Sequence, residues 1–153
     1  MAENEAALGV IETQVAMIVR LGEATRRSSV RPHRALDRAA YVILRLLQES
    51  GPQNVSAVAH RLNLDGSTVT RQVGAMYRDG LVERSPDPED GRGTVIAATT
   101  QGLAQVDAVS QARRELYDTV LKDWTPHERK ELAAVLERLT RDMDTYIKGR
   151  GTP

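Results

Sequence analysis

Long stretches with an apolar residue every third or fourth position alternate with short breaks of Gly, Pro, Asn and Asp. From Glu5 to Ser28, Leu8, Ile11, Val15 and Ile18 recur at helical spacing, widened by Ala7, Val10 and Val19, and predict an amphipathic helix. A helix with so broad an apolar face needs a partner to cover it. Pro32 interrupts the pattern. A second helix is predicted over Arg34 to Glu49, with Leu36, Ala40, Ile43 and Leu47 on one side and Gly51-Pro52 as its stop. Asn54 is the expected N-cap of a short helix carrying Val55, Val58, Ala59 and Leu62. Asn63-Leu64-Asp65-Gly66 reads as a tight turn. Asp65 is the expected cap of the next helix, Ser67 to about Asp79, which Gly80 stops. A short helix, a turn containing glycine and a second helix form the helix-turn-helix layout.

The strand signal is confined to residues 81–97. Leu81-Val82-Glu83-Arg84 and Thr94-Val95-Ile96-Ala97 flank the net-negative stretch SPDPEDGRG, Ser85 to Gly93, and predict a hairpin with a long loop. Thr99 is the expected cap of a long helix reaching about Asp123, with Leu103, Val106, Val109, Leu116 and Val120 along one side. Thr125 and Pro126 open a last helix to about Lys148, with Leu132, Val135, Leu136, Leu139 and Met143 at near-ideal spacing, and Gly149 onward is expected to fray.

Composition narrows the function classes. At 153 residues the chain is expected to form one domain. With no Phe and one Trp, the core must be aliphatic, which suits helix-on-helix packing. The absence of Cys excludes disulfides, thiolate metal sites and thiol-based redox sensing. No apolar run approaches the roughly 18 residues of a membrane span, and the N-terminus lacks a basic signal region, so cytoplasm is the expected location. His33, His60 and His127 have no metal-ligand spacing, and no glycine-rich phosphate loop occurs. No metal, cofactor or enzymatic activity is therefore expected. The 21 Lys and Arg balance the 21 Asp and Glu, so only the distribution of charge can indicate a partner.

Two constellations carry candidate chemistry. On STVTRQVGAMYRD, residues 67–79, Val69, Val73 and Met76 form the expected buried side, leaving Ser67, Thr68, Thr70, Arg71, Gln72 and Arg78 outward. Hydroxyls and guanidinium groups on such a face can contact phosphates and base edges. Taken alone, it reads first as an ordinary surface helix, because such polar faces are common. The neighbouring helix, turn and hairpin favour the functional reading. Gly74 costs the helix about 1 kcal/mol relative to Ala. In Asp90-Gly91-Arg92-Gly93 the glycines allow a sharp tip, and Asp90 is expected to hold the Arg92 guanidinium. An arginine so held can enter a narrow minor groove. In isolation the same residues are a solvated loop with an incidental ion pair. Arg26, Arg27, Arg31, Arg34 and Arg38 read as a solvated junction or as a contact for phosphates or an anionic effector.

STVTRQVGAMYRDGLVERSPDPEDGRG, followed by IAATTQG, resembles the signature region of the MarR family of winged helix-turn-helix transcriptional regulators. The resemblance extends in order over about residues 5–148. It rests on Ser67 to Arg71, Gly80 to Arg84, the wing run with Asp90 and Arg92, and Thr99 with Gly102. It implies a mainly α fold in a single domain, residues 1–153. Residues 34–99 would be a winged helix-turn-helix lobe with a two-stranded wing, and residues 5–33 and 100–148 would be dimerisation helices. By the same resemblance, Ser67, Thr68, Thr70, Arg71, Arg78, Asp90 and Arg92 become the DNA-binding set. Arg20, Arg27, Tyr41 and Arg45, which mix charge with one aromatic on the first two helices, are the candidate effector residues. The implied function is a homodimeric repressor on a pseudo-palindromic duplex, relieved by a small molecule. The alternative is a helical homodimeric interaction module without DNA binding. Two departures stand out. Gly74-Ala75 replace an acidic-basic pair common in relatives, moving a phosphate contact to Arg78 or Arg61, and Ala98 replaces the usual leucine before the capping threonine.

Overall fold

The computed structural model describes residues 1–28 and 36–150, arranged as two units, Met1–Ala35 and Leu36–Pro153. The first unit contains helix α1, Ala2–Ser28. Arg31 and Arg34 of the arginine cluster lie outside the described residues, as do the side chains of Arg26 and Arg27. The second unit runs α2 (Arg38–Ser50), β1 (Gln53–Asn54), α3 (Val55–Leu62), α4 (Gly66–Arg78), β2 (Val82–Pro86), β3 (Thr94–Ala98), α5 (Thr100–Val120) and α6 (Pro126–Arg150).

Capping side chains set most of the boundaries. Helix α2 begins at Arg38 because the Asp37 carboxylate accepts the Ala40 N–H at 2.7 Å. Asn54, Asp65 and Thr99 cap α3, α4 and α5 by accepting from the amides of Ser56, Thr68 and Gly102. Thr125 and Glu128 form a reciprocal capping box: Glu128 accepts the Thr125 N–H at 2.7 Å, and Thr125 Oγ1 accepts the Glu128 N–H at 3.3 Å. At the other ends, Asn63 takes φ 50° and ψ 42°, the left-handed conformation that closes a helix, and Gly51 and Gly80 turn the chain with φ near +72°. Helix α5 ends at Val120, earlier than expected, and α6 continues through Gly149 to Arg150.

The core is aliphatic, as the composition requires. Ile43, Leu44, Val58, Val69, Val73, Met76, Val82, Ile96 and Val106 are almost fully buried between α2, α3, α4, the sheet and the start of α5. The sheet has three antiparallel strands in the order β1-β3-β2. The hairpin expected from sequence is β2-β3, with Arg84 opposite Ile96. The added strand is only Gln53–Asn54, pairing with Ile96 and Val95. It exists because β3 offers a free edge, a long-range pairing that a two-residue pattern cannot announce. Helix α6 buries none of its side chains. Its first turn is fastened by Arg129, which donates twice to the Leu121 carbonyl and once to Asp118 at 2.8 Å.

Candidate nucleic-acid interface

Helix α4 sits with Val69, Val73 and Met76 in the core and its opposite face in solvent. Its orientation is fixed at three points. Asp65 caps it, Gln72 donates to the second oxygen of Asp37 at 2.7 Å, and the Leu81 N–H closes on the Met76 carbonyl at 2.9 Å. Thirteen residues make a rod of about 20 Å, and the major groove, about 12 Å wide, admits such a helix.

The polar side chains of this face divide into two groups. Ser67 donates its hydroxyl to Asp65, and Thr70 donates to the Gly66 carbonyl at 2.8 Å. Both hydroxyls thus offer lone pairs outward rather than protons. Hydrogen bonds from the Ser67 hydroxyl and the Thr68 amide hold the Asp65 carboxyl below its ordinary pKa. Thr68 is half-buried beside the cap. Arg71 and Arg78 are exposed, and neither guanidinium makes an ion pair or hydrogen bond among the described residues. Arg84, on β2, lies 5.0 Å from the centre of the Tyr77 ring. A methyl group at Gly74 would stand 3.5 Å from Arg84 Nη2 and 3.7 Å from Arg78 Nη1, so no backbone approach requires this glycine. Arg61, the alternative phosphate contact, reaches Gln53 Oε1 at 3.4 Å.

The hairpin tip is built differently from the sequence expectation. Asp90 accepts the backbone N–H of Arg92 at 3.1 Å and does not pair with its guanidinium. An aspartate two residues ahead reaches a main-chain amide more readily than the end of a long side chain. Asp87 organises the turn. Its Oδ1 accepts the amides of Glu89 at 2.9 Å and Asp90 at 3.4 Å, and its Oδ2 accepts Asn54 Nδ2 at 2.7 Å. The Glu89 amide first, then Asn54, hold the Asp87 carboxyl below its ordinary pKa. Arg92 is exposed at the tip and free of ion pairs among the described residues. Reasoning from sequence finds Asn54 as a cap but misses its bond to Asp87, because that link spans 33 residues and carries no local pattern.

Behind the wing, Thr99 donates to the Gly80 carbonyl at 2.6 Å, and Leu81 accepts the Thr99 N–H at 3.1 Å. A methyl group at Gly102 would lie 2.1 Å from the Leu81 carbonyl oxygen. Gly102 is therefore the residue that lets α5 close against the segment joining α4 to β2. This arrangement of buried α4, free arginines, hairpin and threonine-glycine junction is the geometry of a winged helix-turn-helix.

Comparison with known proteins agrees. The sequence profile of the MarR family matches residues 36–94. The uncharacterized HTH-type transcriptional regulator YxaD of Bacillus subtilis (strain 168) is 32% identical over 139 residues, 91% of this chain and 96% of the relative. The chain belongs to the MarR family. The HTH-type transcriptional repressor IacR of Pseudomonas putida is similar at 32% identity over 110 residues, covering 72% of this chain and 66% of its own. Among solved structures, a mutant MarR from E. coli complexed with operator DNA matches at TM-score 0.58 and 25% identity, covering 68% of this chain and 75% of that one. These relatives are named as regulators, in line with the non-enzymatic reading.

The expected effector residues of this MarR-family chain lie on its first two helices. Arg20 lies on α1 in the first unit, and the Arg27 side chain is outside the described residues. Tyr41 and Arg45 share α2, but each is engaged elsewhere. The Arg113 guanidinium of α5 stacks 4.1 Å from the centre of the Tyr41 ring, and Arg45 bonds Gln48 and Glu49 at 2.7 and 2.8 Å. Among the described residues there is no metal-ligating cluster, and no helix is long and apolar enough to cross a membrane.

Proposed function

We propose that the chain is a homodimeric repressor that reads a pseudo-palindromic duplex with α4 and the wing and is released by a small organic anion. The observation that carries the DNA reading is the pair of unengaged guanidinium groups, Arg71 and Arg78, on the solvent face of a helix fixed at both ends. In this reading Arg71 meets base edges, the outward lone pairs of Ser67 and Thr70 accept from base amino groups, Arg78 meets phosphates, and Arg92 enters the flanking minor groove. The repressor sense follows the name of the similar protein IacR.

The dimer is supported by apolar side chains that one chain leaves in solvent. Val135, Met143, Tyr146 and Ile147 on α6 are about half or more exposed, as are Tyr117 and Val120 on α5. A two-fold axis then sets two recognition helices about one duplex turn apart. For the effector we favour an open groove of about 640 Å³ between α3 and α6, where Arg61 and Arg141, with Glu137 beside them, flank Leu62 and Leu136. Its rim includes Asp144, which accepts Asn63 Nδ2 from the helix-turn-helix turn at 2.5 Å.

The test is selection of bound fragments from the source genome, followed by titration of the selected duplex across salt. If the three guanidinium groups of each chain, in the grooves or on phosphates, each displace a counterion from the duplex, the slope of log K against log salt is about −5 for a dimer. Absence of salt-sensitive binding to any fragment would overturn the reading and leave the alternative of a helical interaction dimer.

A further inference from the structure

Asn54 holds two elements at once. Its Oδ1 accepts the Ser56 N–H at 2.8 Å and so caps α3, and its Nδ2 donates to Asp87 Oδ2 at 2.7 Å. The assignment of the two amide atoms is unambiguous in chemistry: a backbone N–H can only meet the oxygen, and a carboxylate can only meet the nitrogen. The other Asp87 oxygen gathers the Glu89 and Asp90 amides, and the Asp87 N–H donates to the Gly93 carbonyl at 3.0 Å. Gly93 in turn donates to the Asp90 carbonyl at 2.7 Å, so the tip closes on both sides of Arg92. The fit is tight. A methyl group on Gly93 would lie 2.7 Å from Asn54 Nδ2 and 3.1 Å from Asp87 Cβ.

We infer that Asn54 and Asp87 are a positioning pair that aims Arg92 relative to the recognition helix. The path is continuous: α3 packs on α4 in the core, Asn54 is the first-turn anchor of α3, and Asp87 transmits that anchor to the tip. Strand β1 supports β3 only as far as Asn54, opposite Val95, and the turn that starts at Asp87 extends past it; a charge-assisted bond from Asn54 to Asp87 ties the start of that turn down. The pair replaces the local Asp90–Arg92 ion pair as the device that preorganises the wing arginine. This inference rests on the reading of the wing as a DNA contact, and the experiment separates the two.

Asn54→Ser keeps an oxygen to cap α3 and removes the donor to Asp87. On the duplex selected with the natural protein, Asn54→Ser is expected to weaken binding about fivefold to tenfold, ~1–1.4 kcal/mol. The same change made on top of Arg92→Ala is expected to add less than about twofold, because the pair acts through Arg92. Amide exchange in the free protein supplies the readout that does not need DNA: the Glu89 and Arg92 amides exchange faster in Asn54→Ser, while α2 amides do not. Unchanged exchange at the tip, unchanged affinity, or losses that multiply with Arg92→Ala would each overturn the inference. A natural protein that binds no duplex would overturn the DNA reading, and with it the aiming role, even if exchange showed the clamp intact.

Discussion

Replacing Gly102 by Ala tests the junction that seats the wing on the helical body. The added methyl would start 2.1 Å from the Leu81 carbonyl oxygen and 3.1 Å from Leu44 Cδ2. A carbon meets a carbonyl oxygen at about 3.3 Å at closest, so something must move by roughly 1 Å. Leu81 cannot yield freely, because its N–H is held by Met76 and its carbonyl by the Thr99 N–H. The start of α5 must therefore lift, loosening Thr99 from Gly80 and from the Gly102 amide. Overpacking of this kind costs about 1–3 kcal/mol, and loss of an N-cap adds about 1 kcal/mol. The gain in helix propensity offsets up to about 1 kcal/mol. The expected net loss is about 2–3 kcal/mol, read as a fall of about 1 M in the urea midpoint at fixed protomer concentration. Gly74→Ala is the counter-case. Its methyl meets only the ends of two flexible arginines at 3.5 and 3.7 Å, so it should stabilise by about 0.5–1 kcal/mol. A Gly102→Ala protein within about 0.5 kcal/mol of the natural one would refute the close-approach account.

Arg71→Ala should cost about 1–3 kcal/mol on the selected duplex with its melting temperature unchanged; an equal loss on every sequence would assign Arg71 to phosphate instead. Arg92→Ala should weaken duplex binding without altering dimerisation, and unfolding on substitution would make it structural. Ile147→Asp, on the exposed face of α6, should shift sedimentation from dimer toward monomer, and an unchanged dimer would place the interface elsewhere. Stability should fall in acid. The folded-state pKa values of Asp65, Asp87 and Glu128 are all lowered, so their contributions are complete above the ordinary carboxylate range and are lost as pH falls through and below it. Urea midpoints measured from neutral pH to below about pH 4 should show this decline, and Asp65→Ala should flatten it; a midpoint rising in acid would contradict the sign.

What the sequence could announce was whatever is local. The apolar side of α4, Val69, Val73 and Met76, follows from helical period alone, and the caps Asn54, Asp65 and Thr99 follow from residue type beside that period. The start of α2 was harder, since Leu36 fits the apolar face and conceals the cap at Asp37. Strand β1 lay beyond local reading because Gln53 and Asn54 become a strand only through Ile96 and Val95. The bonding of Asp90 departs from expectation for the opposite reason. Its nearness to Arg92 suggested an ion pair, while the backbone amide of that residue is nearer still. The resemblance supplied Gly102 as a motif residue; its physical need, the Leu81 carbonyl, appears only in three dimensions.

The zero net charge of the chain is resolved by how its charges are held. In the winged helix-turn-helix, Asp37, Asp65, Asp87 and Asp90 each turn a carboxylate onto main-chain amides of a helix start or the wing tip. Their positions are dictated by backbone donors. Arg71, Arg78 and Arg92 have no such partner among the described residues and extend into solvent. The acids still contribute long-range repulsion toward a polyanion, which salt screens over about 8–10 Å. Contact distance is another matter: these four carboxylates are engaged by backbone amides, while the three guanidinium groups are free to reach a phosphate. Such a surface gains little from non-specific attraction and binds well only where its few arginines all find their sites. An acidic wing is therefore compatible with DNA recognition, provided that the tip keeps Arg92 outward, as the bonds at Asp87 and Asp90 do.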